Sequence, residues 1–361
     1  MNTLWHKVWA DLWLTKSRSF LAILSIAVGV FCVGALYGMI DLQLSKMDAA
    51  HRQSLPSHIN LILRSDADLS VLTQIKALPG VADVDLMTPL SVRFKQTGDS
   101  DWRLGTLIIR PDFNTQKFDR TTLQAGSWPT NGQIAMENLS AEFTRLKIGD
   151  AISLETSHGN QTKAITGIVR HPFVKPPKFG GQVHFFADQT TAGLFAIPSN
   201  TFRQVLVQIT PPYSSERTRQ IAANIRNVLA ERQVPVNVTL LQDPDKHWGR
   251  PFLAGVNRVL QIMALASLAL ASVLILNTIS AHMTQQTEQI GVMKALGAKT
   301  WTIAQLYLIE TLLMAVLAIM LAIPPSLFGA YFSSCRLLAL FNIDCGGFAV
   351  SPRSIGFMIL G

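Results

Sequence analysis

The sequence predicts a membrane α-helical protein with a large α/β domain between its first and second transmembrane helices. Three observations lead there. Only 15% of the residues are charged and 48% are hydrophobic, whereas a soluble domain carries about a quarter charged residues. The stretches 19–40 and 259–281 contain no charge, and 303–331 contains one, Glu310. Between the first two stretches the composition turns polar, turn-rich and mixed in charge. Each apolar stretch reaches the ~20 residues needed to cross ~30 Å of hydrocarbon.

We therefore expect at least three complete transmembrane helices, at 19–40, 259–281 and 302–331. The first is not a signal peptide, because its apolar run is too long and no small-x-small site closes it. A fourth apolar run has only 353–361 in this sequence, ~12 Å as helix. That helix is expected to be truncated and the sequence to be the front part of a longer chain.

Ahead of the first span, 1–18 places Trp5, Trp9 and Trp13 on one apolar helical face, with Lys7, Asp11 and Lys16 off it. Such a helix lies in the headgroup region. Within the first span, Gly34 and Gly38 form a small-xxx-small face, which either lets another helix pack closely or reflects the ordinary frequency of glycine in membrane helices.

In 41–258, "HINLILR" reads as a strand, "DLSVLTQIKALPG" as a short helix and "VADVDLMTPLSVRFK" as a strand. The far end repeats that order with "TFRQVLVQIT", "SSERTRQIAANIRNVLAERQ" and "VNVTLL". Two strand-helix-strand units bracketing short strands such as "DAISLET" predict ferredoxin-like halves with an inserted β-rich lobe.

The loop 282–301 ends in Gly297-Ala298-Lys299-Thr300, which imitates a phosphate-binding loop. Five residues separate Gly291 from Gly297, Ala298 precedes the lysine, and a transmembrane helix stands where a strand is required. The loop does not bind nucleotide. It reads as a short surface helix with Ile290, Met293 and Leu296 near helical spacing, Glu288 and Lys294 on other faces, and Gly297 as its stop. A plain connector needs ~2–8 residues, so this longer one predicts a helix that docks into a partner's groove.

In the third span, Glu310 lies ~10 Å deep at 1.5 Å per residue. A carboxylate there costs roughly 2.5–3.5 kcal/mol and should face protein. It serves a structural hydrogen bond or salt bridge, with Lys16 or Arg18 in reach, or else proton coupling. Pro324-Pro325 marks a hinge or the helix end. Beyond it lies the loop 332–352, where Cys335 and Cys345 flank "RLLALFNID". They are either a disulfide, if the loop faces an oxidising compartment, or two unpaired thiols.

Other chemistries are excluded. The histidines show no metal-ligand spacing, and no nucleophile elbow or supported carboxylate pair occurs. The net charge of +8 comes without the compact basic-aromatic cluster that nucleic acid would need. Lysines and arginines near the spans lean toward a cytoplasmic N-terminus without deciding it.

The stretch "EQIGVMKALGAKTWTIAQLYLIET" resembles the signature of FtsX/MacB-type ABC transporter permeases, and so does the order of elements. The segment "LQAGSWPTNGQIAMENLSAEFTRLKIGDAISLE" resembles the β-rich part of that family's extracytoplasmic domain. The resemblance implies a cytoplasmic N-terminus, an extracytoplasmic 41–258 and an inner-membrane location. It implies a dimer made with a second copy or a second half of the same chain, and a separate ATPase subunit that binds the ATP. This chain itself needs no cofactor and is not an enzyme. In the family the helix after the second span touches the ATPase, so Glu288, Ile290, Gly291, Met293, Lys294, Leu296 and Gly297 inherit that role. A periplasmic adaptor or lipoprotein partner also follows from the likeness. The alternative is a transmembrane sensor, disfavoured because the chain re-enters the membrane directly after the loop.

Overall fold

The computed structural model describes Trp13 and residues 16–360; the side chains of Arg18, Thr278, His282 and Leu360 lie outside that description. The interfacial helix expected over 1–18 falls almost wholly outside the described residues. In chain order, α1 spans Lys16–Gln53, β1 Ile59–Asp68, α2 Ser70–Lys76, β2 Val81–Gln96, β3 Arg103–Arg110, β4 Thr122–Gly126 and β5 Ile134–Glu137. Then come α3 Asn138–Thr144, β6 Ala151–Thr156, β7 Gly159–Arg170, β8 Val183–Asp188, β9 Thr201–Ile209, α4 Ser215–Glu231 and β10 Val236–Leu241. The last helices are α5 Arg250–Gln285, α6 Thr287–Ala295, α7 Thr300–Leu340 and α8 Pro352–Leu360.

Two compact units result. One holds Met1–Ser45, Pro251–Leu337 and Cys345–Gly361; the other holds Lys46–Arg250 and Leu338–Asp344.

In the first unit, α1, α5 and α7 are long and apolar enough to cross a membrane. Helix α7 runs 41 residues with Pro324 and Pro325 inside it, so the prolines do not end the helix. Proline removes a backbone donor, but neighbouring helices and hydroxyl side chains make that tolerable in a membrane helix. Small residues set the packing. A Cβ added to Gly34 would collide with Met358 and Ser326, and one added to Gly38 would lie 2.9 Å from Ala330 Cβ. Ala27, Ala318 and Ala322 are buried together. At the N-terminus of α8, Ser351 Oγ donates to Asp41 Oδ2 at 2.6 Å and accepts from Ser354 N–H at 3.2 Å. That single hydroxyl caps α8 and ties it to α1.

In the second unit, the described strands form one mixed sheet, with main order β10-β1-β9-β2-β3-β8-β5-β7-β4 and β6 alongside β2 and β7. The first four strands pair antiparallel throughout. Helices α2 and α4 supply Ile75, Ile221, Ile225 and Leu229 to a core with Ile59, Leu61, Val84, Val205 and Val207. The alternation along β1 and β9 follows from a strand's two-residue period. Parallel pairs β3·β8 and β5·β7 occur in the lobe, whose interior is Phe94, Leu107, Ile134, Leu154 and Phe185.

Strand β2 belongs to both halves. Met87 still pairs with β9, whereas Thr88 onward pairs with β3. Pro89, which lacks an N–H, sits just past this change of partner. Beside it, Arg110 is 1% exposed. Its guanidinium donates to Gln116 Oε1 and to the carbonyls of Phe118 and Asp119, and lies 3.7 Å from Asp85. Asp119 in turn accepts from the N–H and hydroxyl of Ser57, each at 2.8 Å.

Two predictions follow from this packing. Gly34→Leu and Gly38→Leu each cost about 1–3 kcal/mol by overpacking, read as a lower melting temperature in detergent. Gly356→Ala, with nothing within 4 Å, leaves melting unchanged; equal effects at all three positions would contradict the close approach.

Glu137 is 0% exposed; its Oε2 accepts from Ser140 N–H and its Oε1 from the Asn342 amide. Burial pushes its carboxyl from 4.5 up to about 7. The folded state thus keeps a proton that the unfolded chain releases above 4.5. The resulting stability is complete below pH 4.5 and is lost as pH rises through about 7, by up to ~3 kcal/mol at 1.36 kcal/mol per pKa unit. Asp119, pushed by burial to about 6, acts in the same direction. Melting temperature should therefore fall between those limits, and Glu137→Gln should flatten the slope. An unchanged slope in that variant would contradict the assignment.

Candidate functional site

The loop between α5 and α7 is built from its ends inward. Gln286 is 7% exposed and its side-chain Oε1 accepts from Tyr307 Oη at 2.7 Å. Its carbonyl accepts from Ile290 N–H at 2.9 Å, which starts α6. The far end closes with Gly297 at φ +87°. Gly297 N–H bonds Lys294 O and Ala298 N–H bonds Met293 O, each at 3.0 Å. This pair of bonds is a Schellman stop, which requires the left-handed glycine.

On α6 itself no residue is buried. Val292 is 60% exposed and Leu296 84% exposed, while Ile290 and Met293 are half-buried. The apolar residues thus divide between two faces. The expected single face of Ile290, Met293 and Leu296 gives way to an outer pair, Val292 and Leu296, four residues apart on one side of the helix. Glu288, Gly291, Lys294 and Gly297 are exposed, and a Cβ on Gly291 would meet nothing within 4 Å.

Glu310 is 2% exposed. It lines a cavity of about 420 Å³ in the helical unit together with Ser19, Ile26, Asn277, Tyr307 and Met314. Of its two expected cations, Lys16 places Nζ 4.4 Å over the Trp13 ring, and the Arg18 side chain lies outside the described residues. Farther along α7, Cys335 is bonded to Cys345 with Cα atoms 5.2 Å apart, while Cys32 is free. Gly34 and Gly38 stand in the helix contacts already described. Among the described residues, no group of three or more His, Cys, Asp or Glu could hold a metal.

Three features, two of them residue pairs, are not legible in the sequence. Gln286 and Tyr307 look like ordinary polar residues, and only their meeting across 21 positions makes them an anchor. Val292 was hidden because a nine-residue helix is too short for its period to be read. Asp41 and Ser351 are 310 positions apart.

One unit holds helices long and apolar enough to cross a membrane together with the short exposed helix α6, and the other is an α/β domain that follows α1 in the chain. An FtsX-like permease C-terminal model matches residues 261–361, and a MacB-like periplasmic core domain model matches 19–227. No curated protein matches the chain by sequence. The chain is similar to the extracellular domain of the noncanonic ABC-type transporter YknZ from Gram-positive bacteria. The two are 13% identical, with 52% of this chain and 100% of that one covered and a TM-score of 0.35. It is also similar to the periplasmic region of MacB from Actinobacillus actinomycetemcomitans, at 9% identity, 54% and 92% coverage and a TM-score of 0.35. The core-domain match alone takes in more than half of the 361 residues, and the two matches together take in 310 of them. The chain belongs to the FtsX/MacB-type family of ABC transporter permeases.

Proposed function

We propose that this chain is the transmembrane subunit of an ABC transporter that couples ATP hydrolysis in a separate ATPase subunit to motion of its extracytoplasmic domain. The observation that carries the reading is α6: a helix of nine residues between two spans, fixed at both ends, that holds Val292 and Leu296 in solvent. Leaving two such side chains in water forgoes roughly 1.5–3 kcal/mol each, which a partner's groove recovers.

In this reading the N-terminus and α6 are cytoplasmic, α1, α5 and α7 are complete spans, and α8 begins a fourth. The Cys335–Cys345 disulfide supports an oxidising, outer side for the end of α7 and the residues that follow it. The antiparallel order β10-β1-β9-β2 supports a ferredoxin-like half, with the lobe inserted between β2 and β9. The permease pairs with a second copy or a second half of its own chain. An adaptor or lipoprotein joins outside, and the cargo is a lipid, lipoprotein, peptide or drug. Glu310 holds helices together. A sensor that transports nothing is the second reading, and it would share the external domain.

Docking is tested by Val292→Asp and Leu296→Asp. Each would bury a charge in an apolar groove and should weaken co-purification of the ATPase by roughly 100-fold or more. Gly193→Ala, in the α/β domain with nothing within 4 Å of an added Cβ, should leave co-purification intact. Retention of the ATPase by both aspartate variants would sink the assignment.

Orientation is tested separately. A cysteine at Ser157 should react with an impermeant maleimide in intact spheroplasts, and one at Thr287 only after permeabilisation. The reverse pattern would overturn the topology.

A further inference from the structure

The unit formed by Lys46–Arg250 and Leu338–Asp344 contains a second cavity, of about 540 Å³, that the coupling reading does not use. Its wall is drawn from four separate stretches of chain: the end of α1, the segment 113–122, the end of β7 with Pro172, and residues 341–344, closed by His247. Small-molecule sites fall in the range ~300–1,000 Å³, so the space exceeds what a few waters require.

Its charge is one-sided. Arg120 and Arg170 line it, against the single carboxylate of Asp344. Sheet register brings the two arginines together, because β4 pairs Thr122 with Arg170 and Arg120 lies two residues before Thr122. Neither guanidinium is consumed by the protein. Arg120 gives only Nε, to the Gln116 carbonyl at 3.0 Å; its terminal nitrogens have no partner among the described residues. Arg170 reaches Asp344 at 3.5 Å, and that aspartate side chain is 72% exposed, so water screens the pair heavily.

The remaining wall is neutral. His247 is held by burial down to about 4 and adds no charge near neutral pH. Phe113, Pro172, Phe341 and Ile343 provide apolar surface. Three lining side chains also carry a buried polar atom with no hydrogen-bond partner: His51 Nδ1, Arg170 Nε and Asn342 Oδ1. Each of these atoms is too buried to meet a bound molecule directly, so the recognising groups of the cavity are the terminal guanidinium nitrogens of Arg120 and Arg170.

We propose that this cavity binds a phosphate group carried on a small, partly apolar body, with Arg120 and Arg170 as the phosphate ligands. Planar guanidinium forks match phosphate oxygens, whereas a lone ammonium acts as a point charge. Phosphate attached to a soluble glycerol and phosphate in a phospholipid headgroup share this chemistry. The site rests on this unit's residues and is independent of ATPase docking.

The test uses the full chain in phosphatidylcholine nanodiscs, titrated calorimetrically with inorganic phosphate and with sn-glycerol 3-phosphate. Saturable binding is expected, tighter for the glycerol ester. Arg120→Gln and Arg170→Gln should each weaken it about tenfold, and Lys178→Gln, outside the cavity, should leave it unchanged. Arg120 is exposed, so its variant is expected to fold even where Arg170→Gln does not. Nanodiscs containing phosphatidylglycerol then separate the sources: loss of soluble-probe binding assigns the site to a lipid headgroup, and undiminished binding assigns it to a soluble phosphate. Absence of saturable binding below about 10 mM, or binding untouched by Arg120→Gln, would overturn the proposal.

Discussion

A peptide group inside hydrocarbon has no water to bond, so each N–H and C=O there must find its partner within the protein. This constraint orders the helical unit. Helices α1, α5 and α7, long and apolar enough to cross a membrane, meet it as continuous helices, and α7 continues through two prolines. The constraint also pushes irregular backbone to the ends of helices, where side chains and turns supply the missing bonds. Ser351 does this at α8, and the Gly297 stop does it at α6. The surface helix is thus held at a fixed length and position by bonds that the loop needs in any case.

The inserted domain meets a different requirement. Its two cores must be joined by something stiffer than a linker, and β2 does so by changing partners midway. Arg110 fixes the region beside that change. A buried guanidinium is tolerable only when its hydrogen bonds are well placed, and this one takes two carbonyls, one amide and a nearby carboxylate. Removing it would leave Asp85 and Asp119 without their cation, so the Arg110 network governs the stability of the segment that follows α1.

The three long apolar helices were legible because charge avoidance over ~20 residues is a local signal. The outer strands and helices of the domain were legible for a similar reason: their periods and turn residues are local. What escaped reading was every feature made by distant residues. The partner change of β2, the Gln286–Tyr307 anchor and the lining of one cavity by both Arg120 and Arg170 depend on tertiary contacts with no period in the chain. Spacing alone groups Ile290, Met293 and Leu296. In so short a helix the outer pair is decided by which residues the anchored ends turn outward, and Val292 replaces Met293 there.

The proposed coupling requires α6 to touch an ATPase that binds the nucleotide. The most direct measurement is photo-crosslinking in native membranes, with a benzophenone amino acid at Leu296 and, as reference, at Ser157. Mass spectrometry of the adducts should identify a nucleotide-binding ATPase subunit at Leu296 and none at Ser157. Adducts at Leu296 made only to lipid, or an ATPase captured from Ser157 instead, would contradict it.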